Sequence, residues 1–166
     1  ALDLLSIVLG EGMSSRLFSR LREDLGLCYD IHSYMSTLTD TGMFGIYSGV
    51  DPERVLQATT EIGRELRKVA STPIALDELE RAKSVARSRT QLRLEDTRAV
   101  SALYGSQLIL GLPRLTPEES LAISAAVTLD EVTEVARKVI VPESWHLAAV
   151  GPVDAGELEA ALGCGS

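Results

Sequence analysis

The spacing of apolar residues changes from a helical to a strand period within one short stretch near the start of the chain. Apolar residues first recur at intervals of three and four: Leu17, Phe18, Leu21 and Leu25. This pattern predicts a helix with one buried face, with Ser14 or Ser15 as its N-cap. Gly26 follows the last apolar position, where a left-handed residue commonly ends a helix. The chain is therefore expected to pass from a helix into a strand near Gly26.

After Gly26 the pattern has a period of two, which is typical of a strand with two different faces. One predicted face holds Leu27, Tyr29, Ile31, Ser33 and Met35. The other holds Cys28, Asp30, His32 and Tyr34. A polar turn at residues 40–42 then leads to a second strand over residues 43–50, and this arrangement predicts an antiparallel hairpin.

Helical patterns occupy most of the remaining chain. Each predicted helix has an apolar stripe or a capping signal: residues 1–9, a helix opened by Asp51 and Pro52 and ending near Ala70, a helix opened by Asp77 and Glu80, a segment from about Glu95 to Leu110, helices after Thr116 and Thr128, and a last helix from Asp154 to about Leu162. In the helix after Asp77, the basic residues Arg81, Lys83, Arg87 and Arg89 are expected to face solvent, and Leu79, Ala82, Val85 and Ala86 to face inward.

The order of these elements predicts an α+β domain in which helices pack on an antiparallel sheet. A third strand is predicted over residues 145–150, an apolar run that Gly151 and Pro152 end. The apolar start without a convincing cap favours a piece of a longer protein over a processed terminus. We therefore expect residues 1–166 to form one domain that lacks its first strand or strands. An open sheet edge would favour pairing with a second copy, as a homo-oligomer.

Composition excludes several classes of function. Sixteen basic and 24 acidic residues give a formal net charge of −8, and no basic cluster is present, so a nucleic-acid partner is not expected. No apolar run approaches the length of a membrane span, and no signal segment opens the chain. The two cysteines, Cys28 and Cys164, lack the spacing of a metal site and weakly favour a reducing, cytoplasmic compartment.

Catalytic motifs are also missing from the sequence. His32 and His146 stand outside any zinc-ligand pattern, so no metal site is expected in this chain. Cys28 and the serines near the first turn lack an activating partner or a nucleophile elbow. The glycines of Gly10-Glu11-Gly12 do not follow a strand, as a phosphate-binding loop requires.

Two motifs carry a resemblance to a known family. The run from Leu9 to Phe18, followed by Leu21-Arg22-Glu23 and Gly26-Leu27-Cys28-Tyr29, resembles the C-terminal half of the pitrilysin and insulinase family of zinc metallopeptidases, which includes mitochondrial processing peptidase. Later segments fall in the order that this family shows, including the hairpin turn and the closing Ala149-Val150-Gly151-Pro152. The resemblance covers nearly the whole chain.

The resemblance implies one half of a clamshell with the metallohydrolase fold of mitochondrial processing peptidase. In that family two α+β halves enclose an unfolded peptide, and zinc belongs to the N-terminal half, which would be this chain's partner. The family's substrate-contacting arginine and tyrosine fall on Arg22 and Tyr29, as supporting catalytic and substrate-binding residues. The residues alone also allow another interpretation, in which Arg22 pairs with Glu23, Asp24 or a helix end and Tyr29 belongs to the core.

Two functions remain open at this point. The chain can be the C-terminal domain of a zinc endopeptidase, inert alone and forming the wall opposite the zinc. Alternatively, it can be a structural or peptide-binding subunit of the same family without catalytic activity. The presence of both Arg22 and Tyr29 favours the first function.

Overall fold

The computed structural model describes residues 1–163 of the 166-residue chain, so Cys164 lies outside the described residues. The described part contains seven α-helices, a π-helical segment and two strands. In chain order these elements are α1 (Leu2–Gly10), the π-helical segment (Phe18–Asp24), β1 (Cys28–Thr37), β2 (Gly42–Val50), α2 (Val55–Ser71), α3 (Leu76–Arg93), α4 (Thr97–Ile109), α5 (Pro117–Ala126), α6 (Leu129–Val139) and α7 (Ala155–Leu162). The predicted α+β class is confirmed.

Most of the predicted helix starts are confirmed by their capping bonds. The side chains of Thr116, Thr128 and Asp154 each accept a hydrogen bond from a backbone N–H three residues later, at 3.0 to 3.3 Å. These bonds satisfy donors that the first turn of a helix leaves free. Asp51 accepts from the Glu53 N–H at 2.9 Å and opens a short 3-10 turn before α2.

The start of α3 differs from the prediction by a small shift. The helix begins at Leu76, and the Glu78 carboxylate accepts a hydrogen bond from the Ala75 N–H at 2.7 Å. Asp77 and Glu80, which were expected to form the capping pair, instead form ion pairs with basic residues one turn further along. Several acidic residues in one first turn offer alternative caps, and the spacing alone does not select among them.

Helix α1 lies at the centre of the core. Its apolar residues from Leu4 to Leu9 are at most 6% exposed, and it packs against β1, α3 and α6. A helix that is apolar on all sides is stable only when other elements surround it, and this one is. The predicted first helix is thus confirmed as the element on which the hairpin rests.

Strand β1 is held close to α1 by small residues. The Ser33 hydroxyl donates to the backbone carbonyl of Ser6 at 2.8 Å, and the two serine hydroxyls lie 2.9 Å apart. A Cβ atom on Gly10 would lie 2.4 Å from the Ser33 nitrogen, so only glycine allows this approach. We call this contact between Ser6, Gly10 and Ser33 the α1–β1 seam.

The predicted hairpin is confirmed as an antiparallel pair of β1 and β2 joined through residues 38–41. Ile31 lies opposite Ser48, and Met35 lies opposite Phe44. One face of the hairpin packs on the helices, while the other is open in the described part of the chain.

The predicted third strand is wrong. Residues 145–150 have no strand pairing: Trp145 is half-buried against the core, and residues 146–150 are exposed, with Leu147 at 43% and Val150 fully exposed. An apolar run forms a strand only when a neighbouring strand supplies hydrogen bonds, and residues 1–163 supply none at this place. The sheet of the described residues therefore has two strands.

Arg89 was wrongly expected to face solvent. It donates to Asp3 at 2.7 Å and to Glu11 at 2.6 Å, so it ties α3 to both ends of α1. Val85, expected inside, is 42% exposed, whereas Leu79, Ala82 and Ala86 are buried as predicted. The partners of Arg89 are distant in sequence, and helix periodicity cannot reveal them.

Candidate functional site

The segment that carries Arg22 is anchored by two leucines. Leu17 and Leu21 are fully buried, while the intervening helix turn widens into π-helical geometry over Phe18–Asp24. Neither serine caps it, contrary to the prediction: Ser15 donates backwards to the Gly12 carbonyl at 2.8 Å. The segment ends at Gly26 with a φ of +59°, which confirms the predicted left-handed end.

Arg22 is exposed and has no carboxylate partner among the described residues. Its guanidinium lies over the Phe18 ring, 4.8 Å from the ring centroid. The candidate partner Asp24 instead faces Arg20 at 3.7 Å. The local ion pair that was the alternative interpretation for Arg22 is therefore not present in the described residues. The hydrogen-bond donors of the Arg22 guanidinium point to no carboxylate there.

Tyr29 is pushed out of the strand by a β-bulge. Cys28 lies opposite Val50 and Asp30 lies opposite Gly49, so Tyr29 has no residue facing it across the hairpin. The extra residue reverses the alternation and leaves Tyr29 87% exposed. The expectation that Tyr29 shares a face with Ile31 is wrong for this reason, and so is the interpretation that places Tyr29 in the core.

Arg22 and Tyr29 lie on two elements that contact each other, the π-helical segment and β1. Cys28 is the residue before Tyr29, and the positive charge of Arg22 acts to lower the pKa of its thiol. Burial raises the pKa of the Cys28 thiol, and the Ser48 side chain and the Arg22 charge oppose this only in part. The thiol is thus a protonated, buried group, whereas the Arg22 guanidinium and the Tyr29 phenol are both exposed to solvent at this corner.

The open face of the hairpin carries a row of ring side chains that the sequence did not single out. The His32 ring lies 5.2 Å from that of Tyr47 and 6.4 Å from that of Tyr34, centroid to centroid. The Asp30 carboxylate lies 3.4 Å from the His32 Nδ1 atom. The sequence held one hint of this row, because strand β2 has glycines at positions 45 and 49, which leave room for large side chains on strand β1. The hint can be recognised only once the register of the two strands is known.

The residues that the structure describes do not fit a zinc ion. Within residues 1–163 there is no group of three His, Cys, Asp or Glu side chains placed to hold a metal. His146 lies on the exposed segment after α6, with its Nδ1 atom 3.0 Å from the Ser144 carbonyl oxygen.

No helix in the described part of the chain is long and apolar enough to cross a bilayer.

The chain is similar to known proteins in both sequence and fold. Residues 1–85 match the family model described as the peptidase M16 inactive domain. An uncharacterized zinc protease of Streptomyces coelicolor is 37% identical over 153 residues, which is 92% of this chain and 33% of that protein. The uncharacterized zinc protease YmxG of Bacillus subtilis is 36% identical over 152 residues, 91% of this chain and 37% of its own length.

A solved structure shares the fold. The crystal structure of a peptidase M16 inactive domain from Pseudomonas fluorescens superimposes with a TM-score of 0.74 at 22% identity, over 82% of this chain and 33% of that one. The chain spans about a third of the length of the curated relatives named above.

Proposed function

Because this chain belongs to the peptidase M16 family, with its first half matching the inactive domain, we propose that it forms the substrate-binding wall of a zinc protease. In this proposal Arg22 and Tyr29 reach a peptide that is held between this wall and a zinc-bearing N-terminal half. The observation that carries the proposal is the surroundings of the two side chains: Tyr29 is bulged out to 87% exposure, and Arg22 has no carboxylate partner in residues 1–163.

The chemistry of the two groups suits this role. A guanidinium offers several donors in a fixed plane, which can hold a peptide carbonyl or carboxylate in one orientation. A phenol hydroxyl can donate to a carbonyl oxygen and continue to do so as negative charge develops on it. The stacking of Arg22 on Phe18 restricts the guanidinium before a peptide arrives, which lowers the entropy lost on binding. The zinc and its bound water belong to the other half in this proposal.

We further propose that strands from outside this chain complete the sheet. The exposed segment over residues 146–150 supports this, because it makes no strand pairing and its backbone groups can pair with a strand from elsewhere. The strands can come from the zinc-bearing half or from a second copy of the chain. Measuring the size of the pure chain in solution distinguishes these two sources. A monomer at high concentration contradicts pairing with a second copy of the chain.

The test is steady-state kinetics of the protease assembled from this chain and its zinc-bearing half. We expect Arg22→Ala to lower kcat/KM by about tenfold to a hundredfold, and Tyr29→Phe by about tenfold, as for removal of a single transition-state donor. Matched controls are Arg93→Ala and Tyr104→Phe, which change an exposed arginine and an exposed tyrosine on other elements. Unchanged kinetics for Arg22→Ala and Tyr29→Phe contradict the proposal.

Deletion of Tyr29 offers a sharper variant. The bulge accounts for one extra residue, so its removal leaves Cys28 opposite Val50 and Asp30 opposite Gly49. We expect this variant to keep the hairpin and to lose at least as much activity as Tyr29→Phe.

A second test uses the pure chain without its zinc-bearing half. Chelator-sensitive proteolysis by the pure chain would contradict the proposal, because it would place a metal site in this chain.

A further inference from the structure

The open face of the hairpin concentrates the tyrosines of the chain. Three of the four tyrosines, Tyr29, Tyr34 and Tyr47, lie on this face, and each is at least 40% exposed. His32 lies between Tyr34 and Tyr47, and Asp30 stands beside it. We call these five residues the tyrosine face. Aromatic side chains make up only 4% of the chain, so their gathering on a solvent-facing surface does not follow from composition.

The rings of the tyrosine face are held in place by the backbone beneath them. A Cβ atom on Gly45 would lie 2.4 Å from the Tyr34 ring, so this ring lies directly over the glycine of the facing strand. The His32 and Tyr47 rings are only 32° from parallel. An ordered set of rings loses little conformational entropy when it binds a partner, which is why tyrosine is common in recognition surfaces.

The charge of the face identifies the chemistry of its occupant. Its carboxylate is Asp30, which lies beside His32 with its side chain 60% exposed, and the chain carries a formal net charge of −8. The faces of tyrosine rings carry negative electrostatic potential and attract cations within about 6 Å. A carboxylate beside such rings favours a lysine or arginine side chain over an acidic or apolar one.

We propose that the tyrosine face is a specificity subsite that binds a lysine or arginine side chain of the peptide substrate. The inference rests on the proposed function, because it places the subsite next to the corner where Arg22 and Tyr29 hold the peptide. The cationic side chain lies across the Tyr34 and Tyr47 rings, and its charged end reaches the Asp30 carboxylate. The bulge supports this continuity, since it leaves Tyr29 and Asp30 both exposed at the start of the face.

The experiment measures binding of two peptides to the whole chain by NMR titration. The peptides are extended, equal in length, and identical except for one position that carries arginine in one and norleucine in the other. The wild-type chain is expected to bind the arginine peptide about fivefold more tightly, as for one exposed ion pair combined with a ring contact. The ring protons of Tyr34 and Tyr47 should shift with the arginine peptide.

Variants separate this inference from the proposed function. Asp30→Asn and Tyr47→Leu should each bring the ratio of the two affinities close to one, which removes most of the preference for arginine. Tyr104→Leu on α4 is the matched control and should change neither affinity. Arg22→Ala should weaken both peptides by a similar factor, because it acts on the peptide backbone.

The outcomes point to different conclusions. If Arg22→Ala weakens both peptides but the arginine preference survives in Asp30→Asn and Tyr47→Leu, the subsite is wrong and the proposed function stands. If the wild-type chain shows no preference between the peptides, the subsite is also wrong. If neither peptide binds to the wild-type chain, both proposals fail for this chain.

Discussion

Arg16 and Arg22 lie six residues apart, one before the π-helical segment and one within it, and they have opposite surroundings. Arg16 forms two hydrogen bonds of 2.7 Å with the Glu78 carboxylate, and both side chains are only 17% exposed. Arg22 is exposed, rests on a phenylalanine ring and has no carboxylate partner in the described part of the chain. The comparison shows how one short segment can carry an arginine that joins helices and another that stays available for a ligand.

The largest expected effect comes from breaking the half-buried pair of Arg16 and Glu78. Arg16→Met removes the cation and leaves the Glu78 carboxylate with little access to water, so the free energy of unfolding should fall by about 3 kcal/mol. Urea denaturation followed by circular dichroism measures this change. A loss smaller than about 0.5 kcal/mol would show that the pair behaves as an ordinary surface ion pair.

The pH dependence of the same pair is the second prediction. The hydrogen bond from Arg16 holds the pKa of Glu78 below its usual value, and burial opposes this shift in part. A carboxylate whose pKa is lowered by folding stabilises the protein above its unfolded pKa and loses that contribution as the pH falls through the folded value. The difference in unfolding free energy between wild type and Arg16→Met should therefore be constant above about pH 5 and shrink below about pH 4.5. Denaturation curves at a series of pH values test this, and a difference that grows on acidification would contradict it.

The smallest effect is expected at the other arginine. Arg22→Met should change the free energy of unfolding by less than about 0.5 kcal/mol, because an exposed side chain without an ion pair contributes little to folding. The same denaturation experiment serves both variants, so they form a matched pair. A loss at Arg22 as large as that at Arg16 would mean that Arg22 is structural, and it would remove the basis for assigning a ligand to it.

Much of the fold could be predicted because the residues that begin a helix lie close together in the sequence. Thr116 and Thr128 cap their helices with bonds that span three residues, and such patterns can be read directly from the sequence. The hairpin followed from its turn and from the period of two. By contrast, the third strand depended on a partner at long range, and no partner is present in residues 1–163.

The residues of the candidate site were proposed from a resemblance, and their geometry could not be predicted. The resemblance to a family selected Arg22 and Tyr29, and the structure gives both of them free polar groups. The orientation of Tyr29 could not be predicted, because a bulge adds one residue without leaving a mark on the sequence pattern. The tyrosine face was missed for a related reason, since residues such as His32 and Tyr47 come together only when the register of two strands is known.

The α1–β1 seam has a consequence for how the hairpin could be altered. Gly10 and Ser33 fix the distance between the strand and the core through atoms on the inner face alone. The side chains on the opposite face contribute nothing to that attachment, so they can be exchanged while the strand keeps its position. The hairpin therefore offers a rigid support on which new peptide preferences could be selected in the laboratory, with folding left to residues that the selection does not touch.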